Sequence, residues 1–353
     1  LIGTQQNDLL VETQEDYTKI REGYLNRAVA KEYLSIEEAR QNKLKLDFTQ
    51  HQPIRPNQLG VFTHQATVAE LRDYIDWTPF FKTWDLHGKY PAILEDEIVG
   101  NHAKELYVDA LAMLNRIDEE NLALPKGVFG IFKANTVNDD TIEVYDINNQ
   151  VVDNFYTLRQ QAKKSKDSPN LSIADFIAPK ESQVEDYIGA FAVTTGQEIE
   201  DFAKEYEKNL DDYNSIMVKA IADRLAEAYA EFLHQKVRKE YWGYANQETL
   251  SNDELIAEKY KGIRPAPGYP ACPDHLEKQT IFNLLDVENN ANIHLTSSLA
   301  MYPVSSVSGY YFASSEAKYF GVGKIKMDQV EDFAQRKNIP LSEAERWLGP
   351  NMA

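Results

Sequence analysis

The residues best suited to chemistry gather in one stretch, IRPAPGYPACPDH, running from Ile263 to His275. Arg264 at its head carries a planar five-donor guanidinium that can grip a carboxylate through two parallel hydrogen bonds. Tyr269 adds a flat ring with a hydroxyl, and Gly268 permits close approach of another molecule. Around them Pro265, Pro267, Pro270 and Pro273 fix φ, forbid a helix and argue against a central strand. A segment stiffened in this way holds its backbone groups in one arrangement before any ligand arrives, so the chemistry it offers is recognition. The plain alternative is a proline-rich surface connector. Cys272 and His275 stand three apart, but no second cysteine exists in the chain, and the ligand counts of zinc sites argue against a metal.

Other chemistries lack their signatures. A doubly wound methyltransferase would carry a glycine-rich turn between its first strand and helix, and none is present. GVG at Gly321–Gly323 is too short for that role and reads instead as close backbone approach in a late strand. No P-loop and no G-x-S-x-G occur, and His64, His87 and His294 show no ligand spacing. No nucleophile–base pair can be named.

The elements that must position the proline loop are helices and hairpins without regular βαβ alternation, so the expected class is α+β: a twisted antiparallel sheet flanked by helices, with a helical N-terminal lead-in. Charge alternates with apolar residues at helical spacing from Leu9 to Leu46, and Ser35 with Glu38 forms a capping-box pattern. HQPIRPNQLGVF then reads as a connector. A short helix is expected over Val68–Tyr74, and a longer one over Ala92–Ile117. GVFGIFKANTVNDDTIEVYDI reads as a hairpin turning at Asn138–Asp140. Further strands are expected over Ser172–Phe176 and Tyr187–Thr194, and two more around Ser314–Ala317. Glu198–Tyr241 has the clearest helical period, with a break near Asp211. Ser251 and Glu254 form a second capping box, and helices are expected to begin at Thr280, Asp328 and Ser342.

With 353 residues, 43% of them apolar, the chain can bury a sizeable core. A net charge of −19 gives the electrostatic term of nucleic-acid or anionic-lipid binding the wrong sign. No apolar run approaches a membrane span and no signal peptide opens the sequence, so a soluble, cytoplasmic protein is expected. A single cysteine fits a reducing compartment, and the start at Leu1 fits a piece of something longer.

RPAPGYPACPDH, LRDYIDWTPFFKTWDLHGKYP, DYIGAFAVTTG and VRKEYWGYA together resemble the activation domain of cobalamin-dependent methionine synthase, from about Leu59 to Pro350. The resemblance implies residues 1–58 as a lead-in following a cobalamin-binding module, and 59–353 as an S-adenosylmethionine-binding domain. It implies that Arg264 holds the methionine carboxylate and Asp76 the amino group or a nearby polar edge. Backbone groups of Arg264, Ala266 and Gly268 would meet adenine and ribose, with Tyr269, Glu227, Glu258 and Tyr319 lining the same site. Without the resemblance, Glu227 and Glu258 read as solvated helix acids. The role implied is presentation of a methyl group to cob(I)alamin during reductive reactivation, as part of methionine synthase, with the isolated chain inactive alone. Its implied partners are the cobalamin-binding module of the same polypeptide and a flavodoxin-type reductant. Cobalamin and zinc would belong to other modules, and no metal to this one.

Overall fold

A computed structural model describes residue 11, residues 13–21 and residues 32–353. Residues 13–21 are helical. Of the helices expected from Leu9 to Leu46, residues 9, 10, 12 and 22–31 lie outside the described residues, Tyr33 bridges Ala162, and a helix runs over Ile36–Gln41.

Six strands form one antiparallel sheet: β1 (Gly60–Gln65), β2 (Lys126–Val137), β3 (Thr141–Tyr145), β4 (Val151–Tyr156), β5 (Asp186–Thr194) and, later in the chain, Ser306–Tyr311. The two-residue strands β6 (His294–Leu295) and β7 (Met301–Tyr302) pair separately, which makes Ser306–Tyr311 β8. The order is β4-β3-β2-β5-β8, and β1 and β3 share the outer edge of the long β2, one after the other. After residues 13–21 the α-helices are α1 (Ile36–Gln41), α2 (Val68–Leu71), α3 (Trp77–Thr83), α4 (Gly100–Glu119), α5 (Gln197–Lys208), α6 (Asp212–Lys236), α7 (Asn252–Ile256), α8 (Glu277–Leu285), α9 (Val287–Ala291), α10 (Met327–Lys337) and α11 (Leu341–Leu348). The class is α+β, as the sequence implies.

Every residue of β5 is buried, because helices cover both faces of the sheet. Its alternate residues feed two cores, as a period of two requires. Tyr187, Phe191 and Val193 meet α2–α6 on one face, while Ile188, Ala190 and Ala192 meet α8 and α9 on the other. A third cluster seats α10 and α11 through Val330, Phe333 and Leu348.

The capping boxes at Ser35, Ser251 and the α5–α6 break are present, with Asp211 accepting from the Asn214 N–H at 3.1 Å. Three expectations fail. Ser172–Phe176 is not a strand: Ser172 and Asp175 form a capping box that closes a 3-10 turn over Ile173–Phe176. The segment after Ser314–Ala317 is not a strand beside β8, because Val322 donates to the Pro270 carbonyl at 2.8 Å and Ile325 bridges Met352. Gly321–Gly323 therefore lies against the proline loop and not within a sheet. The helix expected from Ala92 is interrupted, with a 3-10 turn at Ala92–Glu95 before α4.

The lead-in is tied to the main body. Arg40 donates through Nε to Asp140 and through Nη2 to Asp332, both at 2.7 Å, and the Trp242 indole donates to the Ile54 carbonyl at 2.8 Å.

Candidate functional site

The proline loop is held at both ends. Ile263 and Phe312 exchange two backbone hydrogen bonds of 3.0 Å, and Tyr310 donates to the Pro265 carbonyl at 2.9 Å, which continues the ladder past β8. Within the loop Tyr269 donates to Ala266 at 3.1 Å, Gly268 to Cys272 at 2.8 Å, and the Cys272 thiol to the Ala266 carbonyl at 2.9 Å. This close seating on β8 needs Gly309, where an added Cβ would lie 2.6 Å from the Pro265 oxygen. Gly309→Ala is therefore expected to cost about 1–3 kcal/mol and lower the melting temperature by several degrees. An unchanged melting curve would mean that the loop shifts freely.

Beneath the loop lies a cavity of about 500 Å³. The loop contributes Arg264, Pro265, Ala266, Tyr269, Pro270 and Ala271; α6 contributes Glu227, and the sheet contributes Phe191 and Val307. Glu258, Tyr319 and Phe320 complete the wall. A smaller cavity of about 130 Å³ shares Glu227, Glu258 and Arg264 and adds Asp76, Arg224 and Glu231. The fold thus brings seven of the eight anticipated side-chain or backbone positions to one double cavity. Gly268 is the exception: its φ of +97° and the His275 ring 2.3 Å from any added Cβ explain the glycine, and it lines neither cavity.

Each position has a local cause. Asp76 caps α3, accepting from the Thr78 N–H at 2.9 Å. That accounts for an acid among the Trp77, Phe80 and Phe81 rings while leaving it on the smaller cavity. Glu258 follows α7 in a left-handed conformation with φ of +54°. Burial pushes its carboxyl up; Arg264 opposes this and Glu231 adds to it. Tyr269, 60% exposed, and Tyr319, 41% exposed, stand at the rim. The Tyr319 hydroxyl accepts the backbone N–H of Arg264 at 3.0 Å, fixing the head of the loop.

Arg264 donates through Nη2 to Glu231 at 2.9 Å, while its buried Nε has no hydrogen-bond partner within the protein. Burial opposes the guanidinium charge, but Glu231 first, then Tyr260, Tyr319 and Glu227, raise its pKa above the ordinary range. It stays cationic. Glu231 was not among the residues anticipated from sequence. It stands four positions after Glu227 on α6, so the two acids share a helix face, and that spacing is the one signal that could have found it. Cys272 is buried, burial pushes its thiol up, and His275 faces Gly268 and Trp347. Among the described residues no cluster of three metal-ligating side chains exists, and no helix is long and apolar enough to cross a membrane.

Fold and site together define a ligand-binding α+β module: a preformed loop over a mixed apolar and charged cavity, built without a doubly wound nucleotide fold. Residues 67–338 match the family model described as "Vitamin B12 dependent methionine synthase, activation domain", and the chain belongs to that family. It is similar to a solved structure titled "Crystal Structure of the MetH Reactivation Domain bound to AdoHcy", at 53% identity and a TM-score of 0.89, covering 91% of this chain and 99% of that one.

Proposed function

We propose that this chain binds S-adenosylmethionine in the double cavity and presents its methyl group during reductive reactivation of methionine synthase. The observation that carries the reading is the Arg264 guanidinium, which keeps some exposed surface while lining both cavities, in a family whose solved member holds AdoHcy. Arg264 takes the methionine carboxylate, the acids of the smaller cavity favour its ammonium, and the loop backbone with Phe191 and Tyr319 receives the nucleoside. Cobalamin, carried by another module of the same polypeptide, supplies the nucleophile, and a flavodoxin-type reductant supplies the electron. Zinc belongs to a further module, and the setting is cytoplasmic.

Breaking the sulfonium–carbon bond leaves a neutral thioether and moves no proton, so none of these side chains has to act as acid or base. Their contribution is orientation of the donor. Calorimetric titration of the isolated chain with S-adenosylmethionine should show saturable binding, and the same chain should release no methylated product from small-molecule acceptors. Absence of binding would defeat the reading; steady turnover by the isolated chain would point to a free-standing methyltransferase.

The site should also prefer S-adenosylmethionine over S-adenosylhomocysteine, which differs by one methyl and the sulfonium charge. A carboxylate about 5 Å from the sulfonium attracts it by roughly 1 kcal/mol in water-like surroundings and about 3 kcal/mol at an effective dielectric of ~20. Glu258 is exposed to solvent even though partial burial raises its carboxyl, so screening and desolvation favour the lower figure, a preference of about fivefold. Glu227→Gln or Glu258→Gln should narrow the ratio of the two dissociation constants and leave the uncharged ligand nearly untouched. A ratio unchanged in both variants would assign the two acids to the solvated surface.

A further inference from the structure

Arg264 is not free to choose its orientation. Glu231, buried on α6, accepts from Nη2 through Oε2 at 2.9 Å, and its Oε1 lies 3.5 Å from Nη1 of the fully buried Arg238. Arg238 is gripped in turn by Glu248, with Nε and Nη2 at 2.9 and 2.8 Å from the two carboxylate oxygens. The chain of charges Arg264–Glu231–Arg238–Glu248 alternates in sign and sums to zero, which removes the cost of an isolated buried charge. At its outer end Nη2 of Arg264 is occupied by Glu231, while the rest of the side chain keeps some surface toward the two cavities that it lines.

We propose that Glu231 is a positioning residue: by clamping Nη2 it aims the remaining edge of Arg264 at a ligand carboxylate, and Arg238 with Glu248 holds the clamp. The inference rests on the proposed binding of S-adenosylmethionine. An arginine without this clamp would sample several rotamers and would turn toward Glu227 or Glu258, which line the same cavity. The clamp therefore supplies selectivity for the carboxylate end of the ligand and contributes nothing to the nucleoside end.

The test uses two ligands, S-adenosylmethionine and its decarboxylated analogue, titrated against the parent chain and E231Q. Glutamine keeps the shape and one acceptor for Nη2, but it loses the charge and turns an amide donor toward Arg238. The expected result is a loss of roughly tenfold or more in affinity for S-adenosylmethionine, with the affinity for the decarboxylated analogue changed by less than about threefold. An equal loss for both ligands, or none for either, overturns the inference, because a merely structural Glu231 would not distinguish the two. If E231Q does not fold, E248Q is read in the same way: it leaves the Arg264–Glu231 contact in place and loosens Arg238, so a smaller but still carboxylate-selective loss supports the clamp and a non-selective or absent one removes it. Failure of the parent chain to bind either ligand would strike the proposed function itself, and is thereby separable from failure of the clamp.

Discussion

Arg264→Lys should weaken S-adenosylmethionine binding roughly ten- to a hundredfold even though the positive charge is kept. Lysine offers one compact ammonium in place of a planar fork. In this site the guanidinium has two tasks at once: Nη2 holds Glu231, while the rest of the fork lines the cavities that receive the ligand. An ammonium drawn to the buried Glu231 carboxylate, only 5% exposed, would sit short of the ligand, and one that reached for the ligand would leave that acid unpaired. Losing one charge-assisted bond is worth about 1.5–3 kcal/mol. The fold should survive, because the loop is anchored here through the backbone N–H of residue 264 to Tyr319 and through the Ile263–Phe312 pair, neither of which uses the side chain. A dissociation constant equal to the parent's, in a variant that melts with it, would make Arg264 a structural cation.

Local signals in this chain were legible wherever their physical cause is local. Ser35 and Ser251 each have a glutamate three residues on, and both boxes form, because every group involved belongs to one turn. The proline loop, the Asp211 break and the β2–β3 hairpin are of the same kind. Ser172–Phe176 went the other way: an apolar run beside strands looks like a strand, and only Asp175, reaching back to the Ser172 N–H at 3.0 Å, marks it as a turn. Ile325 ends the run expected as the second strand after Ser314–Ala317, but its backbone partner is the C-terminal segment, which no local signal marks.

The site divides along the same line. Arg264, Ala266 and Tyr269 sit in a recognisable loop, whereas Glu231 is an acid on a helix whose importance depends on Arg264, 33 positions later, and on Arg238. A buried acid and a surface acid look alike in sequence until the partner's position is known. The same holds for Arg159, fully buried between Asp140 and Asp175, whose oxygens it meets at 2.7–2.9 Å. Gly268 is read from sequence as room for another molecule, whereas the neighbour that requires the glycine is the His275 ring packed over it.

The largest effect expected on stability concerns the end of the same loop. Asp274 and Glu277 are buried together with one cation between them: Lys337 from α10 donates to Glu277 Oε1 at 2.5 Å, while Asp274 Oδ2 and Glu277 Oε2 have no hydrogen-bond partner. Cys272 and Tyr310 also face the pair, and burial pushes both of them up, while the Lys337 ammonium lies 5.0 Å over the Tyr156 ring. Burial pushes Glu277 up to about 7 against the pull of Lys337, and burial pushes Asp274 up to about 6. The folded state thus holds protons that the unfolded chain has already released, so this pair stabilises the fold below the ordinary carboxylate range and loses that stabilisation as pH rises toward 7. Glu277→Gln removes the titration while keeping the side chain's shape. At pH 5 the variant should match or trail the parent, having weakened the Lys337 contact. Between pH 5 and 8 the difference should move in the variant's favour by on the order of 2 kcal/mol, a few degrees in melting temperature. Other shifted groups, such as Asp186, pushed up to about 7 by burial, and His234, held low by burial and by Arg238 and Arg264, occur in both proteins and cancel in the difference. Paired melting curves across that range decide the matter: a gap that stays constant with pH, or that widens against the variant as pH rises, would show that burial does not hold a proton on Glu277 above the ordinary carboxylate range.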